Sequence, residues 1–456
     1  IVRFIYYYFI ILLRATLGRS PREQAKKIIL LIEGRNHISV YNIFTSGSRL
    51  PLQLFGITAT YTIVLLQFDI LDKELIKSFK PMYNFQLIIG TTRVNIKDGF
   101  VTAPSMLQKC YTLFCAVGIV VFDYITIRKY SLILMDNNTI SYLSTCVTLL
   151  HTVTFLCNIV HVRFVNNKEN AEFFVTLQDI DRNMKLDRNK TITSMMYKGN
   201  AFSVTSVLGI FCALLGTASI KKNISFWSLL GIVYTQINLV IEIVSLSNIF
   251  KYFYTRTQFI NGILYNYISR TKTPPLRRLK GIPFLSLFAK KKFMRQLASQ
   301  THDFITSETD VYLKEVLNGF ALFQAIYRYQ IFIFCCKLVA SCLITFEFVL
   351  FGVDLTDSLT PVVFTIIDIW IALILVVSCE MFLREVKGTK HLSITVMSLH
   401  FDGPLREKAK KMLKLIEEIP PRLSVYDMWE LDANVLLQMF MLVTSLILTQ
   451  LQFVFL

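Results

Sequence analysis

The chain has 456 residues, 54% of them hydrophobic, with 37 Phe, 20 Tyr and a mean hydropathy of +0.51. No ordinary soluble domain of this length hides so much apolar surface, so the composition excludes that class and indicates a polytopic membrane protein. The formal charge of +17 invites a nucleic-acid reading, but the basic residues stand beside apolar windows, and no nucleic-acid partner is expected.

In chain order, residues 22–33 read REQAKKIILLIE and residues 60–68 read TYTIVLLQF, a basic stretch and then an apolar one. Beyond residue 109, long apolar windows recur, each near the roughly 20 residues that carry a helix across a ~30 Å hydrocarbon core. There are seven, at 111–127, 141–161, 201–219, 226–250, 331–353, 361–383 and 435–455. They are continuously apolar, whereas barrel strands alternate in polarity. The expected fold is all-α, a bundle of seven transmembrane helices embedded in the lipid bilayer.

Basic residues set the expected orientation, because short loops rich in Lys and Arg stay inside. Connections 162–200, 251–330 and 384–434 hold 29 Lys and Arg, while the alternate connections hold only Arg128, Lys129, Lys221 and Lys222. The amino end is therefore expected inside and the carboxyl end outside. The 251–330 connection, with PPLRRLK and AKKKFMRQL, reads as cytoplasmic helical extensions lying against anionic headgroups.

All nine cysteines fall in or at the ends of these windows, where they act as small apolar packing residues. There is no CxxC pair, His cluster, phosphate-cradling glycine loop or nucleophile constellation, so no metal, cofactor or enzymatic activity is expected. Of the glycosylation sequons at Asn137, Asn189 and Asn223, those at Asn137 and Asn223 fall in predicted outer loops.

The carboxyl-terminal part repeats the beginning. Residues 406–417 read REKAKKMLKLIE, against REQAKKIILLIE at 22–33, and SVY stands at both 39–41 and 424–426. In the same register Gln53 matches Gln438, Thr60 matches Ser445, and Gln67-Phe68 matches Gln452-Phe453. Two copies so far apart and so unequal in extent do not form a solenoid repeat. The expectation is that 1–68 is the carboxyl-terminal remnant of a related protein, with its last span at about 51–68. On that reading 69–81 is a non-native junction, and 82–456, beginning at the first methionine, is a complete seven-span protein.

With seven spans, an inside amino end and the TYTIVLLQF segment, the chain resembles the insect gustatory receptors, in the superfamily that also holds the odorant receptors. The family signature is Thr-Tyr, five hydrophobic residues, then Gln-Phe. It is complete at Thr60, Tyr61, Gln67 and Phe68, and half retained in the second copy, where Ser445 and Leu446 precede Gln452 and Phe453. The resemblance implies a ligand-gated cation channel of the plasma membrane of sensory dendrites. It also implies a tetramer, homomeric or with other gustatory receptors, opened by a small-molecule tastant and with the last span lining the pore. Sugar-sensing members carry Glu after Thr-Tyr, where this chain has Thr62 and Ile447, so bitter or unassigned ligands fit better.

On a helical wheel Gln438, Ser445, Thr449 and Gln452 fall within roughly 60° of one another. Such a stripe either lines water or bonds to neighbouring helices, and the resemblance favours a pore. Ligand-contact candidates are Glu347 and Asp368, with Thr345, Phe348, Thr365, Trp370, Tyr234, Gln236 and His151. A carboxylate beside aromatic faces can hold a cationic alkaloid. The alternative is that the carboxylates pair with Lys337 or interhelical donors to support folding, and that His151 is a packed core residue. A G-protein-coupled receptor would place its amino end outside, and a transporter would show two related halves. Neither pattern is present.

Overall fold

The computed structural model describes residues 75–97, 100–133, 138–186, 189–220, 226–271, 304–350, 355–426, 428–431 and 433–455. The chain divides into two compact units, Ile1–Asp72 and Lys73–Leu456, and all described residues belong to the second. The 1–68 copy, with Thr60, Tyr61, Gln67 and Phe68, and the basic runs at 274–280 and 289–297 lie outside the described residues.

A helix over 75–88 (α1) leads into a hairpin of β1 (Asn95–Lys97) and β2 (Phe100–Thr102), with Asn95 opposite Thr102. Then come α2 (Met106–Ile133), α3 (Asn138–Val160), a π-helical turn (His161–Val165), α4 (Asn167–Asn183) and α5 (Lys190–Ile220). The long helices α6 (Phe226–Thr271), α7 (Thr309–Leu350) and α8 (Leu355–Leu399) follow. The chain closes with α9 (Pro404–Glu418), a hairpin of β3 (Ser424–Val425) and β4 (Trp429–Glu430), and α10 (Ala433–Phe455).

Among the described residues six helices are long and apolar enough to cross a membrane, and they lie on the first six predicted windows. α10 lies on the seventh window, and its apolar stretch Leu437–Gln452 is shorter than the other six.

The windows did not reveal how far three helices overrun them. α6, α7 and α8 have 46, 42 and 45 residues, so at 1.5 Å per residue each is roughly 65 Å long, about twice the hydrocarbon thickness. The segments expected as basic connection, Lys251–Thr271 and Thr309–Gln330, are continuations of α6 and α7. They pack into one another. Phe250 meets Phe323 edge-on at 5.0 Å, and Phe320 lies 4.8 Å from Phe382 of α8. One charge of this layer is internal too: Arg256 donates to both carboxylate oxygens of Asp181 on α4, at 2.8 and 2.6 Å. Apolar windows stop where charges enter the sequence, whereas buried pairs let the helices continue.

α9 caps this layer. Ala409, Met412 and Ile416 share its inward face, and Pro404 occupies the first turn, where its missing N–H costs nothing. Gly403 precedes it at φ 105°, a backbone region that a side chain would strain.

Residues 75–81, expected as a non-native junction, form one helix with 82–88 and are built into this unit. Leu75, Ser78, Phe79 and Met82 are buried. Phe79 packs edge-on against Phe174 at 5.9 Å, and the Asn200 amide donates to the Ser78 carbonyl at 2.7 Å.

Candidate functional site

α10 packs through Val435 and Met439, which are buried, while Leu437, Phe440, Met441 and Leu448 are exposed. Gln438, Ser445, Thr449 and Gln452 lie along the exposed side. Ser445, Thr449 and Gln452 share an open groove with Phe440, Met441, Thr444 and Leu448. The hydroxyl of Thr449 donates back to the Ser445 carbonyl at 2.9 Å, as that of Thr444 does to Phe440 at 2.8 Å. The amides of Gln438 and Gln452 make no hydrogen bond among the described residues. Phe453 belongs to the same helix.

A second set of polar groups sits inside the bundle. Lys337 of α7 and Asp368 of α8 form an ion pair at 2.6 Å, and each side chain is only 1% exposed. Gln236 of α6 bridges them: its amide donates to Asp368 Oδ1 at 2.7 Å, and its carbonyl accepts from the Lys337 ammonium at 2.5 Å. His151 of α3 is buried with its ring edge-on to Phe364 at 5.9 Å. Lone intramembrane charges are costly, and here each charge has its counter-charge and a bridging amide.

Nearer the end where α7 stops and α8 starts, the Thr345 and Thr365 hydroxyls are 2.8 Å apart. Gln450 of α10 donates from Nε2 to Glu347 Oε1 at 3.1 Å. Phe348 is buried, and Tyr234 donates to the Ile89 carbonyl at 2.8 Å. The structure thus joins His151, Gln236 and Asp368 in one neighbourhood, Thr345 and Thr365 in a second, and Glu347 with α10 in a third. Trp370, 61% exposed, points away from the bundle and joins none of them. Asp368 is saturated by Lys337 and Gln236, so a cationic ligand would have to displace a buried lysine to reach it.

Sequence reasoning passed over a further cluster, whose Glu242 lies six residues beyond Gln236 on α6. Glu242 Oε2 accepts from Arg93 Nε at 2.9 Å and Nη2 at 2.7 Å, and Gln86 donates to Oε1 at 3.2 Å. The Arg93 guanidinium also lies over the Tyr327 ring, 4.0 Å from its centroid, and donates to Asn170 at 3.1 Å. Arg163, in the π-turn, donates to Thr112 Oγ1 at 2.9 Å and to Thr92 Oγ1 at 2.8 Å. The available signal was Glu242 itself, a carboxylate within the fourth apolar window that had to find a partner. Among the described residues no group of three or more Cys, His, Asp or Glu could hold a metal.

Comparison of the chain with models of known protein families gives no match, and comparison with curated proteins gives none.

Proposed function

We propose that this chain is a chemoreceptor channel of the insect gustatory receptor type. On this reading seven spans cross the plasma membrane, the amino end is inside, and the last span of each of four subunits lines a cation pore. A small-molecule tastant, bitter or of unassigned class rather than a sugar, opens it. The observation that carries this reading is the exposed polar stripe of α10. Gln438, Ser445, Thr449 and Gln452 run down one side of an uncharged, largely apolar helix, about 90° around from the buried Val435 and Met439. Two unpaired amides facing lipid would each cost several kcal/mol of lost hydration, so the stripe suits water or a neighbouring subunit. The overrunning parts of α6, α7 and α8 carry exposed basic residues, among them Arg270, Arg328 and Arg384, which favours an inside position for the basic connections.

The test is electrical. Cells lacking other chemoreceptors would express the chain, and whole-cell current would be recorded while alkaloids, glycosides and sugars are applied in turn. A cation current that needs both ligand and chain supports the proposal. Surface protein with no current for any compound, or a response requiring intracellular guanine nucleotide, counts against it.

A further inference from the structure

We infer that Glu347 and Gln450 form a cation-binding site between α7 and α10, taking either a hard inorganic cation or a ligand ammonium group. The inference leans on the proposed function only in placing this end of the bundle outside.

Glu347 differs from the acidic residues of the buried ion pairs. Asp368, Glu242 and Asp181 are each paired with a buried Lys or Arg. Glu347 has no basic group within ion-pair distance among the described residues, and its hydrogen-bond partner is the neutral Gln450 amide at 3.1 Å. That amide is itself half satisfied: Gln450 Oε1 is buried and has no donor. Among the described residues Tyr142 of α3 also lies within electrostatic range of the carboxylate. α8 contributes the neutral Thr365 here, through Thr345, and α10 carries no charged residue anywhere in its length.

The site therefore presents a half-buried carboxylate with no counter-charge among the described residues, beside a buried carbonyl oxygen that lacks a donor. Both features are costly when left alone, and both are relieved by a cation. An all-oxygen donor set selects a hard ion such as calcium or sodium, or an ammonium, over zinc or copper. With a single carboxylate the affinity belongs in the range of roughly 10⁻⁴ to 10⁻³ M that suits ions of extracellular fluid.

Occupancy also bears on α10. Among the described residues, no other hydrogen bond joins residues 437–452 to another helix. For Gln450 Oε1 to meet a cation held by Glu347, the amide turns about its terminal torsion, which is soft. The Nε2 bond is then exchanged for a shared ion, so a cation at this point acts on the contact that positions the striped helix.

The test measures binding, not current. The full chain is purified in lipid nanodiscs, and its thermal midpoint is followed while calcium chloride, sodium chloride or phenethylammonium chloride is added at constant ionic strength. The wild-type midpoint should rise with at least one of them, half-maximally in the millimolar range. Glu347→Gln keeps a partner for Gln450 and should lose the rise. Gln450→Glu supplies a second carboxylate and should shift the half-maximal concentration at least about tenfold lower. A rise with calcium or sodium alone assigns an inorganic ion, and a rise with the amine alone assigns an ammonium ligand. An equal response in wild type and Glu347→Gln, or no wild-type response to any of the three, overturns the inference. Binding without current would count against the channel reading alone.

Discussion

Asp368→Asn is the sharpest probe of the intramembrane network. The substitution keeps the side chain's size but leaves the Lys337 ammonium buried with only neutral amide oxygens as partners, where it now has a carboxylate at 2.6 Å. Removing one member of a buried ion pair costs about 3–5 kcal/mol, because the other charge is left uncompensated. At about 1.4 kcal/mol per decade, that is two to four orders of magnitude in the folding equilibrium. Fluorescence-detected size exclusion after graded heating in detergent reads this as a large fall in thermal midpoint. Replacing the network by apolar groups, Lys337→Met with Asp368→Leu and Gln236→Leu, should restore most of the loss, since packed hydrophobic substitutes are often neutral or better. If Asp368→Asn keeps wild-type stability and loses only its ligand response, or if the triple variant is worse than the single, the network is not the structural device described here.

Gln452→Leu should lower single-channel conductance by about half or more while leaving surface expression intact, because a pore amide offers carbonyl dipoles to a partly dehydrated ion; single-channel recording corrected for surface protein decides it. Phe79→Ala should cost about 3 kcal/mol, the usual loss for a buried Phe, and a chain started at Met82 should lose that packing together with Leu75 and the Asn200 bond; thermal midpoints compare all three forms. Gly231→Ala should cost about 1–3 kcal/mol by overpacking, because its new Cβ would stand 2.6 Å from Phe122 Cδ1 and closer still to Cε1. Gly216→Ala, with nothing within 4 Å, should be neutral on the same heating assay.

The six crossing helices were legible because lipid leaves the backbone few options: a long apolar window has to be a helix, and such windows are visible in composition alone. Their ends were not legible. Lys251, Arg256 and Arg384 look like the start of aqueous loops, yet Arg256 finds Asp181 from a helix 75 positions earlier, and a long-range pair leaves no local trace. The same holds for Asp368: its cost in a membrane marked it, but whether its partner would be a ligand or Lys337 depended on how α7 and α8 face each other. Trp370 was grouped with Asp368 by nearness in sequence, and two residues along a helix turn a side chain by about 200°, which carries it to the outer surface. Residues 75–81 were assigned to a junction because they stand between the copied 1–68 segment and the first methionine, Met82, and neither feature reports the packing of their buried face. The Glu347–Gln450 contact joins two spans about 100 positions apart, and neither residue names the other in the sequence.

Cysteine accessibility on α10 tests the pore most directly. The full chain is reconstituted in liposomes with Ser445→Cys or Ile447→Cys, about 160° apart around the helix, a ligand-evoked cation current is established, and a positively charged methanethiosulfonate is applied, with wild type as the background for the native cysteines. Block of Ser445→Cys, with Ile447→Cys close to wild type, is the outcome expected if the polar stripe lines the ion path. Block of Ile447→Cys with Ser445→Cys unaffected, or liposomes that hold folded protein yet never conduct cations, would contradict the proposal that this helix forms a channel wall.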